Sequence, residues 1–473
     1  MRACFFFCIP GAVAAAIALA IMTTGSAAAG EKAAGIRQQW NADSHFDRTH
    51  EADNTLWWRN FNDTTLDTLI ALGSERNYNL AIATRRIAIA RNNLAVARSA
   101  FFPSLTLNAG WSRNRNSGAM TTPATDASVL QGWHGSVAMS WEIDLFGKIS
   151  AQAGRSKALV NVSAAEYAAA MVALEAEIAG TFINLRISQA QMELARNHSE
   201  KQAQVVKITE ARHESGISSR LDVAQARTVY YSTIASIPLL ESSINSSINA
   251  LSVLLGMEPD SLPATVKAGG TVPDCHMLVA TGVPLDLLER RPDIVAARAS
   301  VDAAAAALGI ARKDYLPNLA IGGSIGTEAH SAKNLFTGRS FTYTVSPTLS
   351  WTIFDGLSRR NNIQSAQREL ENETDNYHLA VLTAIEEADN AMNSYVSSLH
   401  YISSLQKVVE ESEMSLDLSL ALYKQGLSPF SNVVDAQLNV LEYQNTLISA
   451  QGRALSSLIN LFKALGGGWD GNL

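Results

Sequence analysis

One run of residues limits the possible folds of this chain more than any other feature. From Ser358 to Gln425 there are 68 consecutive residues without a glycine or a proline, the two residue types that most strongly interrupt regular structure. A continuous helix of that length, at about 1.5 Å per residue, is roughly 100 Å long, far beyond an average globular helix. The run therefore predicts a rod that only other long helices can cover.

Apolar residues in this run recur with a seven-residue period. They follow one another at alternating steps of four and three, at Val381, Ile385, Ala388, Met392, Tyr395, Leu399 and Ile402. A sustained heptad period indicates left-handed supercoiling against neighbouring helices. The residues between these positions are polar, so the helix is too polar to cross lipid. A solvated dimeric coiled coil is the simplest interpretation.

A second copy of the pattern lies upstream and argues against that simple interpretation. A shift of 210 residues places Trp141 on Trp351 and aligns further residues downstream. Residues 148–215 again span 68 positions without a proline, although Glu175 interrupts the apolar seam. Such self-similarity predicts a chain of two structural repeats.

The two predicted repeats have the same parts. The first covers residues 61–270, the second covers 271–466, and a short tail, 467–473, follows. In each repeat a long helix turns back at a glycine, Gly216 or Gly426, into a second helix. The long helices are predicted at about 148–215, 221–255, 358–425 and 433–465, with a kink at Pro238 in the second of them.

Between the helical parts the apolar period changes from helical to two. Strands are predicted at about 104–113, 135–146, 318–327 and 341–355. Segments of about ten residues with one apolar face are typical of outer-membrane β-strands. The tryptophans in them, which are predicted to lie in the aromatic belts of a membrane, are Trp111, Trp141 and Trp351. Because Pro347 has no amide hydrogen, we expect a β-bulge at that position.

Four strands cannot close a barrel, since small barrels need about eight and an open edge is not tolerated in lipid. The chain is therefore predicted to oligomerise. Strands that close a barrel in a membrane, with helices continuing as a tube outside it, would form a long water-filled duct.

The N-terminus has the pattern of a secretory signal. A basic residue, Arg2, precedes an apolar run and a small-residue end, so we predict a signal peptide at 1–29 and an extended segment at 30–60. Cys4 and Cys8 lie within the signal, which leaves Cys275 as the only thiol of the mature chain. No cysteine lies directly at the predicted cleavage site, since residues 27–32 contain none, so an N-terminal lipid is not expected.

The residues exclude several other functions. The net charge of −7 does not favour nucleic acid as a partner. Cys275 and His276 are adjacent and have no partner pair at ligand spacing, so no metal site is expected. Residues 322–326 match the G-x-S-x-G pattern of hydrolases, but a polar loop follows where that motif needs a helix. We therefore predict neither an enzyme nor a cofactor.

Four segments together carry a family resemblance. They are Leu287–Ile294, Ala311–Pro317, Leu349–Gly356 and Gly426–Gln437. In sequence and order they resemble the TolC-type outer-membrane efflux proteins, specifically the NodT-like branch that serves RND pumps. The resemblance implies a membrane α+β fold, in which a homotrimer forms a 12-stranded β-barrel continued by an α-helical coiled-coil barrel.

The resemblance also implies location, partners and a gate. The duct would lie in the outer membrane of a Gram-negative bacterium, contact its lipid, and dock a periplasmic membrane-fusion adaptor and an inner-membrane RND pump. Its periplasmic gate would involve Asp222, Asp435 and Tyr423, and the helix turns that contact the adaptor would include Gly216, Ser218, Gly426 and Ser428. Ser428 and Asn432 stand where TolC itself has an arginine and an aspartate, which favours one acidic ring over two.

Two alternatives remain open from the sequence. The chain is either such a passive exit duct, or it is a periplasmic coiled-coil adaptor or structural protein. The second alternative would not need paired strands with one apolar face. Helix capping is the other explanation for Asp222 and Asp435. The transported substrate, the pump and the adaptor are not encoded in any motif of the chain.

Overall fold

The computed structural model describes residues 55–117, 119, 128–274 and 291–469. The predicted signal peptide, most of the predicted extended segment, the Cys275-His276 pair and the first part of the Leu287–Ile294 motif lie outside these residues. The described helices are α1 (Thr64–Arg76), α2 (Tyr78–Ser99), α3 (Lys148–Glu214), α4 (Arg220–Leu254), α5 (Ala264–Lys267), α6 (Pro292–Lys313), α7 (Ser358–Lys424) and α8 (Phe430–Ala464). The strands are β1 (Ser104–Asn116), β2 (Ser128–Ile143), β3 (Asn318–Ala329) and β4 (Phe341–Ser350).

The four strands form one antiparallel sheet in the order β1-β2-β3-β4. β1 and β4 are its edges, so each has a row of backbone groups without a partner in the described chain. β2 begins at Ser128, seven residues before the predicted start, and therefore contains Trp133. β4 ends at Ser350 because Ser350 pairs with Asn318, the first residue of β3, and no strand continues beside it.

The bulge predicted at Pro347 is wrong. Pro347 lies opposite Ile321, and the β3–β4 register runs without interruption from Asn318 and Ser350 to Thr327 and Phe341. A proline is tolerated here because β4 is an edge strand of this sheet, where one side of the strand has no ladder to complete.

The long helices occur as two pairs of equal length. α3 and α7 each have 67 residues, and α4 and α8 each have 35. α3 ends in a Schellman motif, in which Gly216 has a left-handed φ of 73° and the amide of Ile217 donates to the carbonyl of Arg212. α7 ends in the same way at Gly426. α4 continues as one helix through Pro238.

The largest apolar core lies partway along the long helices, where the N-terminal part of the chain wraps around them. A short 3-10 helix, Trp57–Phe61, and α1 bring Trp57 and Leu66 against Phe182 of α3 and Phe462 of α8. The rings of Trp57 and Phe462 stack with their centroids 5.3 Å apart. This core fixes α3, α4, α7 and α8 to one another far from both ends of the rods.

A buried arginine joins the start of α6 to two long helices. Arg291 is 7% exposed and makes a bidentate ion pair with Asp293, at 3.0 and 2.6 Å. The same guanidinium donates to Glu387 of α7 at 2.7 Å and to the carbonyl of Ala464, at the end of α8, at 3.2 Å. Four bonds from one side chain therefore join three helices.

By length and composition, two helices in the described part of the chain, α3 and α6, are apolar enough to span a membrane. Half of the most apolar 18-residue stretch of α3 is buried within the chain. α6 lies between α3 and α7. Their apolarity is therefore accounted for at least partly by packing against other helices.

Candidate functional site

The sheet has two chemically different faces. Residues directly opposite each other in an antiparallel sheet share a face, so the register assigns every side chain to one of the two. One row joins Leu107, Val137, Ile325 and Tyr343. With its neighbours this face carries Leu105, Leu107, Trp111, Trp133, Val137, Met139, Trp141, Ile321, Ile325, Tyr343, Val345 and Leu349. Many of these large apolar side chains are exposed, as they would be if their natural solvent were lipid.

The opposite face is mostly polar, and its central rows consist of small side chains. Its central row joins Thr106, Ala138, Ser324 and Thr344. The face also carries Asn108, Ser136, Ser140, Thr342 and Ser346. Near the outer end His134 lies over Gly110, where an added Cβ would be 2.8 Å from the imidazole. A sheet with these two faces separates an apolar medium from water.

The tryptophans lie at two levels of the sheet. At the end far from the helices, Trp111 is directly opposite Trp133, and their ring centroids are 6.4 Å apart. Trp133 was not among the predicted belt residues, although the alternation that includes Val137 extends back to it. Eight residues separate Trp133 from Trp141, roughly 26 Å along the strand and close to the apolar height of an outer-membrane barrel.

The other two predicted tryptophans tie the strands to the ends of preceding helices. The indole nitrogen of Trp141 donates to the carbonyl of Phe101 at 3.0 Å, just after α2. The indole nitrogen of Trp351 donates to the carbonyl of Tyr315 at 3.0 Å, just after α6. The same connection is therefore made twice at the junction between sheet and helices.

At the opposite end of the rods the two helical turns form what we call the tip, residues 215–219 and 425–429. Tyr423, near the end of α7, donates from its hydroxyl to Asp222 of α4 at 3.3 Å. The other carboxylate oxygen of Asp222 accepts from the hydroxyl of Ser219 at 2.6 Å, and Ser219 also caps α4. The structure thus joins two of the three predicted gate residues, and the bond connects the two helical hairpins.

Tyr423 is buried among groups from three helices. Its ring contacts Phe430 with centroids 5.0 Å apart, and the guanidinium of Arg212 lies 5.0 Å from the ring centre. Burial raises the pKa of Tyr423 above its ordinary value, and the negative charge of Asp222 raises it further. The hydroxyl therefore keeps its proton at physiological pH and acts as a donor.

The third predicted gate residue lies apart from this pair. Asp435 is exposed on α8 and makes no hydrogen bond or ion pair with any residue that the structure describes. Ser218 donates to the carbonyl of Thr209 at 3.3 Å, and Ser428 accepts from the amide of Asn432 at 3.0 Å, so both serines stabilise the turns. The most exposed apolar side chains of the turns, Ile217 and Leu427, were not predicted as tip contacts; each directly follows its turn glycine.

No metal centre is apparent in the described ranges. Among residues 55–117, 119, 128–274 and 291–469 there is no group of three or more histidine, cysteine, aspartate or glutamate side chains placed to hold an ion. The distinctive chemistry of the described chain is that of surfaces, an apolar sheet face at one end and a polar tip at the other.

A small sheet with one lipid-type face, continued by helices far longer than a bilayer is thick, defines an outer-membrane protein with a helical extension. A sequence model of the family described as outer membrane efflux protein matches residues 69–257 and 283–467. The chain belongs to this family. The predicted family and its location in the outer membrane of Gram-negative bacteria are thereby confirmed.

Individual relatives agree with this assignment. The chain is 28% identical over 421 residues to a protein of Pseudomonas putida described as probable efflux pump outer membrane protein SepC, covering 88% of this chain and 85% of the relative. It is 27% identical to nodulation protein T of Rhizobium leguminosarum, covering 88% and 84% of the two chains. The solved outer-membrane channel OprN has a TM-score of 0.86 at 27% identity, over 91% of this chain and 96% of that one. SepC is thus described as an outer-membrane protein of an efflux pump, and OprN as an outer-membrane channel.

Proposed function

We propose that three copies of this chain form the outer-membrane exit duct of a tripartite RND-type efflux system. The observation that carries the proposal is the two-faced, four-stranded sheet with both edges open. Its apolar face suits lipid, its polar face suits a water-filled lumen, and three copies joined edge to edge would give a closed barrel of 12 strands. The predicted two-repeat organisation accounts for the equal lengths of the paired helices.

In this assembly the tryptophans form the aromatic belts. Trp111 and Trp133 would lie at the outer interface, and Trp141 and Trp351 at the periplasmic interface. The long helices of the three copies would continue the barrel as a coiled-coil tube. The duct conducts passively, because the energy for transport comes from the partner pump.

The gate lies at the tip in this proposal. The bond between Tyr423 and Asp222 joins the two hairpins of one copy, so separating the hairpins requires that bond to break. Three-fold symmetry would bring three copies of each tip carboxylate together, and such rings attract cations. The three copies of Asp222, each of which accepts the hydrogen bond from Tyr423, would form one such ring. Exposed Asp435 would add negative charge to the nearby lumen.

The partners follow from the family and from the exposed turns. Relatives such as SepC are described as outer-membrane proteins of efflux pumps, and this chain is proposed to serve a periplasmic adaptor and an inner-membrane RND pump. Ile217 and Leu427, with the turn glycines and serines, supply the surface that the adaptor contacts.

Single-channel conductance in a planar bilayer tests this function. Wild-type protein is expected to insert with low, cation-selective conductance, and the Asp222→Ala/Asp435→Ala variant is expected to conduct more. The matched control is Glu241→Ala, an exposed acid of α4 whose ion pair with Arg196 lies away from the tip. Conductance unchanged in the double variant would move the gate elsewhere. Failure of the wild type to insert would contradict the duct itself and favour the soluble adaptor, which would remain in solution without detergent.

A further inference from the structure

Two arginines lie at the external end of the apolar sheet face. Arg113 and Arg115 follow Trp111 along β1 at steps of two residues, so the three side chains lie on the same face. Their partners on β2 are Gln131 and Val129, which share that face. Because the long helices join the other end of the sheet, the arginines lie at the end that faces the cell exterior.

The described chain offers these arginines no counter-charge. Both are exposed, and neither side chain makes a hydrogen bond or an ion pair with a residue that the structure describes. Glu328, the acid of β3, lies opposite His134 and therefore on the polar face. β4 would lie beside β1 of the next copy in the proposed barrel, and it contains no acidic residue. A negative partner for the arginines must therefore come from outside the described residues.

The external end of the sheet carries an excess of positive charge. Residues 112–134 and 328–341, which form the strand ends and connections there, contain four cationic and two acidic side chains, a formal net charge of +2. The whole chain has a net charge of −7, so this excess is local. Such a surface attracts anions. The charged side chains are Arg113, Arg115, Asp126, Glu328, Lys333 and Arg339.

The arginines lie at the height of lipid headgroups. Trp111 and Trp133 mark the external edge of the apolar region. At about 3.4 Å per residue and a strand tilt of about 40°, Arg113 is roughly 5 Å and Arg115 roughly 10 Å above Trp111. The headgroup layer of one leaflet is about 5 to 8 Å thick. Because arginine side chains are long and flexible, both guanidinium groups can reach this layer.

Guanidinium groups at this height favour phosphate as their partner. A planar guanidinium binds two phosphate oxygens at once, and such charged hydrogen bonds are stronger than neutral ones. A phosphate monoester carries a charge of about −1.5 to −2 at pH 7, whereas the phosphate of a zwitterionic headgroup is neutralised by its own amine. Two arginines about 7 Å apart along a strand therefore suit a lipid whose phosphate groups have no internal cation.

We propose that Arg113 and Arg115 bind the phosphate groups of an anionic lipid in the outer leaflet of the membrane. The acyl chains of that lipid lie against Trp111 and Trp133. The occupant is a lipid rather than a soluble anion because the arginines directly adjoin the apolar surface, so one molecule occupies both. This inference rests on the proposed duct, whose barrel brings the apolar face into contact with lipid, and adds a lipid-binding site to its outer surface.

Lipid binding to the detergent-purified protein tests the site. The probes are bisphosphorylated lipid A, the same lipid without its phosphate groups, and inorganic phosphate, and native mass spectrometry measures the bound lipid. The wild type is expected to bind the phosphorylated lipid roughly 25-fold more tightly than the dephosphorylated lipid, since each arginine near an anionic headgroup contributes about fivefold. Equal binding of the two lipids would overturn the proposal. Displacement of the phosphorylated lipid by equimolar inorganic phosphate would also contradict it, because the site would then be one for a soluble anion.

Neutralising the two arginines tests their part in this preference. Arg113→Gln/Arg115→Gln is expected to bind both lipids equally weakly, with the loss confined to the phosphorylated lipid. The strand pairing does not depend on these side chains, which make no bond within the described chain. A variant that keeps the preference of the wild type would refute the assignment of these residues.

The sequence of β1 provides a matched control. Asn114 and Asn116 alternate with the arginines and lie on the polar face. The exchanged variant Arg113→Asn/Asn114→Arg/Arg115→Asn/Asn116→Arg keeps the composition and the net charge but moves the guanidinium groups to that face. It is expected to bind the phosphorylated lipid as weakly as the neutralised variant. Wild-type affinity in the exchanged variant would mean that the net charge of this end binds the lipid, and would contradict a site on the outward face.

Conductance separates a failure of this site from a failure of the duct. In a planar bilayer made without phosphorylated glycolipid, the wild type and the neutralised variant are expected to insert and conduct alike, because the arginines lie outside the lumen. Normal conductance without any preference for the phosphorylated lipid would refute the site and leave the duct in place. Wild-type protein that inserts into no bilayer would contradict the duct, and with it the lipid-facing surface that the site requires.

Discussion

Glu175 is expected to make the stability of this protein depend strongly on pH. The side chain is 4% exposed within the main core, on α3, and its Oε2 has no hydrogen-bond partner. Gly468 lies against it so closely that an added Cβ would be in contact with that oxygen. Burial raises the pKa of Glu175 from its ordinary value of 4.5 to about 8. The residue is therefore a neutral acid in the folded protein at pH 7.

The direction and size of the effect follow from linkage. Between pH 4.5 and about 8 the folded chain keeps a proton that the unfolded chain releases, so stability falls as pH rises through this window. At about 1.4 kcal/mol for each pH unit, the loss amounts to roughly 5 kcal/mol by pH 9. Glu175→Gln keeps the shape and removes the titration, so its stability should be nearly flat over the same window.

Denaturant unfolding of the detergent-solubilised protein at pH 5, 7 and 9, followed by tryptophan fluorescence, measures this dependence. The wild type should unfold at progressively lower denaturant concentration as pH rises, and Glu175→Gln should not. Glu177→Gln, an exposed neighbour on the same helix, is the matched control and should behave as the wild type. The same pH slope in wild type and Glu175→Gln would refute the reasoning.

Three further predictions concern the ion pairs of Arg291, the tip and the middle of the long helices. Arg291→Met should destabilise the fold by about 2 to 4 kcal/mol in denaturant titration, because two half-exposed carboxylates lose a buried partner, whereas exposed Arg298→Met should cost less than about 0.5. Tyr423→Phe removes only the hydroxyl and should raise channel conductance while changing stability by about 1 kcal/mol; an unaltered current would contradict the hairpin bond as a closing element. Burial lowers the pKa of His198, so the folded state should lose stability as pH falls below 6.5, and His198→Gln should lose this acid sensitivity in the same titrations.

Local patterns predict much of this fold because long helices need only local information. The breaker-free run from Ser358 corresponds to α7, and the turn glycines stand where the chain reverses. Strand ends depend instead on partners elsewhere in the chain. β4 stops at Ser350 although apolar alternation continues to Ile353, since β3 provides no partner beyond Asn318.

The contacts that position the site are harder to predict, because they join residues distant in sequence. Tyr423 and Asp222 are 201 positions apart, and nothing near either residue predicts the bond. Trp133 is missed because the second strand is predicted to begin only at about residue 135, and the absence of a bulge at Pro347 follows only from the strand register. Glu175 was visible as an interruption of the apolar seam, but its unpaired burial required the tertiary structure.

The position of the main core partway along the rods has a mechanical consequence. From Leu405, the last residue of α7 in that core, to Gly426 at the tip the helix extends for roughly 30 Å. Over such a distance a rotation of about 5° moves the end by about 3 Å, enough to break a hydrogen bond. At the other end Trp141 and Trp351 tether the strands to the helices at short range. A small angular change about the core would therefore move the tip more than the part in the membrane.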